Sequence, residues 1–357
     1  MSNNWKYTMQ KHKGKLWLTG SILTTALIGG GVWLAVSDNS PFSPDEAGVT
    51  YLASHVMTSD AVGKVNLLSL DSGDTLDTKV LPSGKSYIFE SARNYEQFYA
   101  YDGTSLYLLQ ENGDKLVSKL LADNLPSISK ASHFSFDGKT LGVYSSDTKS
   151  VSMIDIQEKK VVSEKKETLP VVQVAVHSDA VYYITSSDMV KMSGKKVERV
   201  ELGDSLISLH VDKTNMIVQS SFGNEKDENV LFSINPKTLD IESLQKTGAS
   251  NTTMLSKDDK EEYYMAGKFV EGESPYYLLD RYKVEAEGLK KDSLTIKVPT
   301  GEQSVLMDAS NSVLDHDYIY TQADSKLKVF DVKSQTYSHE LPVSVDFAMP
   351  VLNEGGK

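Results

Sequence analysis

Six histidines follow the first fifty residues: His55, His133, His177, His210, His316 and His339. No two have the spacing that puts paired imidazoles on one helical face around zinc. Asp315-His316-Asp317 offers two carboxylates and an imidazole, but three consecutive side chains seldom converge on one ion, and a turn is expected there. His133 and His177 fall on expected inner strands, where packing or hydrogen bonding is the ordinary use of an imidazole. No Ser/His/Asp order, phosphate loop or dinucleotide fingerprint occurs. The three arginines, Arg93, Arg199 and Arg281, are few for a pocket that grips phosphate or carboxylate through bidentate guanidinium groups. Paired tyrosines at 182–183, 263–264 and 276–277 could stack on sugars. On a strand, though, one of each pair faces a sheet interface and the other the opposite side, as core aromatics do. These residues predict no catalytic group, no metal and no cofactor.

One acidic pattern recurs at regular intervals: Asp60, Asp102, Asp147, Asp188, Asp227, Glu273 and Asp324. On one face, these acids would form a negative rim that meets a basic protein surface, a cationic peptide or a divalent ion. Aspartate is also an ordinary turn residue in an acidic chain. Which use applies depends on the elements that hold the acids.

The 357 residues include no cysteine, which excludes disulfides, Cys-ligated zinc, iron–sulfur clusters and a thiol nucleophile. The formal net charge is −12. Lys6, Lys11, Lys13 and Lys15, with no acid beside them, give residues 1–36 a charge of +4, so the remainder carries −16 (−12 minus +4). Such a chain is a poor partner for nucleic acid or for membrane phosphates.

The run from Leu16 to Val36 carries no charge. As a helix it would span about 31 Å, close to the hydrocarbon thickness of a bilayer. Trp17 and Trp33 sit near its ends, lysines precede it, and Asp38, Asp45 and Glu46 follow. The positive-inside rule then puts the N-terminus in the cytoplasm and the bulk of the chain outside. A cleaved signal peptide ending at Ala35-Val36-Ser37 is the rival, disfavoured by the length of the apolar run and by bulky Trp33. The expected organisation is a cytoplasmic tail over 1–15, a transmembrane signal anchor over 16–36 and a linker over 37–47. A folded domain over 48–351 and a tail over 352–357 complete it.

From residue 48 onward, short alternating apolar runs are broken by Gly, Asp, Asn and Ser, with no sustained helical period. One unit recurs, and the last apolar residues before its turn are Leu70, Leu109, Ile156, Met192, Ile234, Val284 and Val332. Their intervals of roughly 36 to 50 residues are those of a repeat fold, and four short strands per unit suggest propeller blades. In the third unit the strands read SKASHFSF, TLGVYSS, SVSMIDI and KVVSEKK. Leu81-Pro82, Leu125-Pro126, Leu169-Pro170 and Leu341-Pro342, with the variant Val298-Pro299, mark places where the chain leaves one unit for the next, because proline cannot donate to a ladder. The first unit lacks an inner strand, and an extra strand, Val343 to Val351, follows the last. That strand is expected to insert as the missing one and remove an exposed edge.

The stretch HFSFDGKTLGVYSSDTKSVSMIDIQEKKVV, residues 133–162, resembles the YVTN/WD40-like β-propeller repeat superfamily. The seven units and the extra strand predict an all-β, seven-bladed β-propeller of four-stranded blades, closed by the C-terminal strand, and the resemblance agrees with a propeller fold. That superfamily includes binding scaffolds, lactonases and quinoproteins. All three tryptophans precede the repeats, against the quinoprotein pattern. The expected function is a membrane-tethered, extracytoplasmic platform for another cell-envelope protein or a cationic ligand. A lactonase-like enzyme with its site at the channel mouth is the alternative.

Overall fold

A computed structural model describes residues 55–351. It excludes 83, 92–96, 204, 212–214, 224–227, 250–254, 259–262, 271–275, 286–287, 300–311, 316–317, 324–325 and 344–346. The chain divides into two compact units, Met1–Asp38 and Asn39–Lys357. The first unit, with the apolar run from Leu16 to Val36, lies outside the described residues. Among the described residues, no helix is long and apolar enough to cross a membrane.

Alternating polarity produces short antiparallel strands throughout. The first three are β1 (His55–Ser59), β2 (Lys64–Ser69) and β3 (Thr75–Val80). A second group is β4 (Ile88–Ser91), β5 (Gln97–Tyr101), β6 (Leu106–Asn112) and β7 (Lys115–Ala122). The third comprises β8 (Ala131–Phe136), β9 (Thr140–Ser145), β10 (Ser150–Asp155) and β11 (Lys160–Lys166). In the fourth are β12 (Val171–His177), β13 (Ala180–Thr185), β14 (Asp188–Ser193) and β15 (Lys196–Glu201). β16 (Leu206–Val211), β17 (Met216–Gly223), β18 (Glu228–Ile234) and β19 (Ile241–Ala249) make the fifth. The sixth holds β20 (Leu255–Asp258), β21 (Tyr263–Val270), β22 (Tyr276–Glu285) and β23 (Gly288–Pro299). The seventh has β24 (Ser312–Asp315), β25 (Tyr318–Ala323), β26 (Lys326–Asp331) and β27 (Thr336–Pro342), and β28 (Phe347–Val351) comes last.

Each of these groups is a four-stranded sheet, and the first is completed by β28, in the order β28-β1-β2-β3. The register pairs His55 with Val351 and Ser59 with Phe347. The extra strand therefore fills the missing inner position, over a shorter span than Val343 to Val351. Pro350 sits opposite Val56, tolerable because an inner strand has one free edge. Leu341-Pro342 and Val298-Pro299 form the last residues of β27 and β23, whereas Leu81-Pro82, Leu125-Pro126 and Leu169-Pro170 lie in the connectors. An outer strand also has a free edge, so proline fits either place.

Successive sheets pack face to face through apolar side chains, with Val176, Val181 and Tyr183 against Tyr144, Val151 and Met153 at the third and fourth sheets. Gly142 permits that approach, since a Cβ there would lie 2.9 Å from Val176 and Val181. At three seams an inner-strand N–H is satisfied by a side chain of the neighbouring sheet. Ser135 Oγ accepts from Val176 N at 3.0 Å, Gln173 Oε1 from Leu209 N at 2.8 Å, and Gln322 Oε1 from Ala348 N at 3.0 Å. β28 also packs against β25 of the seventh sheet. Outer edges carry lysines among their exposed valines and leucines, for example Lys115 and Lys119 beside Val117 and Leu120 on β7, which discourages edge pairing. The described residues make an all-β propeller of four-stranded blades.

Candidate interaction face

The strand register defines two faces. His55, Ser69 and Val351 share one end of the first sheet, and Ser59, Val65 and Phe347 share the other. Loop 60–63 emerges at the second end, joined there by the connector to the next sheet, since Leu81 N donates to Gly63 O at 2.9 Å. The same clasp recurs: Leu125 N donates to Thr104 O, Glu167 N to Lys149 O, and Leu202 N to Ser187 O. Connectors and second-to-third loops therefore form one cross-tied face. Entry to the first described strand and the end of the last lie on the opposite one.

Four of the seven expected acids are described, and all sit on the cross-tied face. Asp60 builds its own turn, with Oδ1 accepting from Val62 N at 3.2 Å and Lys64 N at 2.9 Å. Asp102 accepts from Lys85 Nζ at 2.6 Å and from the backbone of Thr104 and Ser105 at 2.8 and 2.7 Å. Asp147 accepts from Ser129 Oγ at 3.0 Å, with Lys130 Nζ at 3.6 Å. Asp188 is the first residue of β14, and its Oδ2 takes Arg199 Nη1 at 2.7 Å. Asp227, Glu273 and Asp324 lie outside the described residues.

Three of these acids share a role invisible in the sequence pattern. Asp102 holds Lys85, and Asp147 holds Ser129 and Lys130, each on the connector that feeds its own sheet. Asp188 reaches the incoming connector through Arg199, whose Nη2 donates to both oxygens of Glu167 at 2.6 Å. Tyr183 completes that network by donating to Glu167 Oε1 at 2.6 Å. Asp60 belongs to the first sheet, whose incoming connector between β27 and β28 lies partly outside the described residues, and among the described residues it builds a turn. These carboxylates are thus compensated locally. Lys85, Glu167 and Arg199 gave no motif of their own; the one available hint is that Lys85 and Ser129 each stand four residues after the leucine of a Leu-Pro pair.

Burial alone would raise the Asp102 carboxyl, whose side chain is 0% exposed. The hydrogen bonds from Lys85, Thr104 and Ser105 more than offset it and hold the carboxyl below its ordinary value. A carboxyl so depressed stabilises the folded chain above about pH 4 and loses that contribution as pH falls toward the folded value. The melting temperature of Asp102→Asn, followed by circular dichroism, should therefore fall less steeply between about pH 4 and pH 2 than that of the parent.

Among the described residues the histidines do not converge on a metal site. His133, on β8, stacks on Tyr144 at 6.1 Å between ring centres and is exposed to solvent. His177 closes β12, His210 lies on β16, and His339, on β27, contacts Ser338 and Asp71. His316 is outside the described residues, between β24 and β25. Among the described residues no three His, Asp or Glu side chains gather as a metal site. Tyr182 and Tyr183 point to opposite seams as expected, the first donating to Pro236 O at 3.0 Å and the second to Glu167. Apolar side chains fill part of the cross-tied face: Val62 and Val80, brought to one end by the pairing of Lys64 with Val80, are 67% and 70% exposed.

No family model and no curated protein matches the sequence. Solved structures match by shape. A functionally unknown protein from Desulfotomaculum acetoxidans is similar with a TM-score of 0.53 at 13% identity, over 81% of this chain and 95% of that one. The β-propeller domain of Myceliophteria thermophila Cps50 (Swd1) gives 0.52 at 11% identity, over 73% and 88%. Apo AztD from Citrobacter koseri gives 0.51 at 13%, over 82% and 81%. At these identities the likeness is one of fold.

Proposed function

We propose that this chain is a membrane-tethered, extracytoplasmic propeller of seven blades whose cross-tied face binds another protein of the cell envelope. The observation that carries this reading is the placement of His55 and Val351 together on the opposite face. A partner can then cover the loops and connectors without meeting either end of the propeller's chain. The seven four-stranded sheets, with β28 packed on β25, support the blade count, and the uncharged run from Leu16 to Val36 supports the tether. Because Asp102, Asp147 and Asp188 are paired with Lys85, Lys130 and Arg199, and Asp60 is tied to its own turn, recognition rests on shape and on exposed apolar groups such as Val62 and Val80. That favours a protein over a cationic ligand.

The absence of cysteine leaves an introduced thiol as the sole point of attachment. Val62→Cys probes the cross-tied face, and Glu158→Cys, in the β10–β11 turn, probes the other. Both are treated in intact cells with a membrane-impermeant, photoactivatable maleimide. The proposal expects labelling of both variants and a discrete protein adduct from position 62 alone. Labelling only after lysis would refute the extracytoplasmic location. An adduct from position 158 alone, or from neither, would refute the docking face.

A further inference from the structure

The seam between the fifth and sixth sheets differs from its neighbours. β17 and β18 pair Ile217 with Ser233 and Gln219 with Leu231. Residues directly opposed, or two apart on one strand, share a face, so these four form a single patch. Apolar Ile217 and Leu231 occupy one diagonal, polar Gln219 and Ser233 the other. The sixth sheet covers the patch, since Ile217 and Leu231 pack with Tyr282 of β22 and Leu289 of β23. Gln219, Ser233 and Tyr282 are fully buried. Yet neither amide atom of Gln219, nor Ser233 Oγ, nor the Tyr282 hydroxyl has a hydrogen-bond partner among the described residues.

At the seams on either side of the fourth sheet, direct bonds are made. Ser135 and Gln173 meet backbone N–H groups, and Tyr182 and Tyr183 meet Pro236 and Glu167. Buried polar atoms in native proteins are satisfied almost without exception, and ordered water serves where protein groups do not. A buried water ordinarily makes two to four such bonds, and Gln219, Ser233 and Tyr282 together supply four polar atoms. Burial, helped by the charge of Asp280, raises the Tyr282 phenol, so it stays a neutral donor at physiological pH.

We infer that the seam between the fifth and sixth sheets is a binding site for small neutral hydrogen-bonding molecules, occupied by internal water that bridges Gln219, Ser233 and Tyr282. The two sheets are joined there through an exchangeable guest as well as through Ile217, Leu231, Tyr282 and Leu289.

Gln219→Met tests this, because it keeps the side chain's size and removes both polar atoms. The full-length protein is compared with the variant by thermal melting and by water oxygen-17 relaxation dispersion, which counts long-lived internal waters. A hydrated seam predicts a melting temperature lower by about 2–4 °C and at least one long-lived water lost. Tyr282→Phe combined with Gln219→Met should cost less than the two singly, because they share the guest. An unchanged or higher melting temperature would overturn the inference, since an amide buried dry is better replaced by a thioether. An unchanged water count would overturn it too. Ser233→Ala, which removes a single oxygen, is read by the same two measurements should Gln219→Met not fold.

Discussion

Truncation after Val343 should give a chain that does not fold as a monomer. β28 supplies the inner strand of the first sheet, and its Ala348 and Val351 belong to the same buried cluster as Val56, Met57 and Leu67. Removing it deletes the ladder with β1, uncovers that cluster and frees the acceptor of Gln322. Four or five net hydrogen bonds at about 1 kcal/mol each, plus the apolar area lost, amount to on the order of 5 kcal/mol or more. That is comparable with the whole stability of an ordinary domain. Size-exclusion chromatography should show aggregate or a multimer in which the open β1 edge recruits a foreign strand. The peptide Val343 to Val351, supplied in trans, should recover some monomer. A monomer that melts as the parent does, without the peptide, would show that β28 adds nothing to closure.

Arg199→Ala should be as damaging as a core substitution, although the arginine side chain is 37% exposed. Surface changes ordinarily fall within about 0.5 kcal/mol. Here the loss leaves Glu167, nearly fully buried, with Tyr183 as its sole side-chain donor among the described residues. An uncompensated buried carboxylate costs about 3–5 kcal/mol. Glu167→Ala should cost less, about 2–3 kcal/mol, because Arg199 keeps Asp188 and reaches water while only the Tyr183 hydroxyl is stranded. The double variant should lose less than the two single losses combined. Urea midpoints at pH 7 measure all of this; additive losses would mean that the four side chains do not act as one network.

The third sheet shows how far local pattern reaches. TLGVYSS, SVSMIDI and KVVSEKK fall on β9, β10 and β11 within a residue, because alternation and the Asp137-Gly138 turn are local signals. The register breaks at Ala131/His133, Val171/Gln173 and Leu206/Ser208 were not legible. One inserted residue does not disturb the alternation enough to be seen, although it recurs in three inner strands. Nor could the sequence say that Gly142 abuts Val181, a contact between different repeats, or that Asp102 and Asp147 hold connectors, since those side chains meet across 17 and 18 residues with no local pattern to pair them. The acids were visible as a period, but their purpose depends on Lys85, Ser129 and Arg199, which differ in residue type and share no motif. The seam of Gln219, Ser233 and Tyr282 was hidden for the same reason.

Closure by β28 also sets a clock on the nascent chain. β1, β2 and β3 are made first, and the strand that completes them follows roughly 270 residues later. At ~5–20 residues per second, the first sheet waits on the order of ten to fifty seconds with its inner edge open. Through that interval the cell must keep Val56 and Met57 from other partners, and an interrupted synthesis leaves the edge open for good. Proteases and chaperones that read exposed strands would therefore distinguish finished from unfinished copies by the state of a single edge.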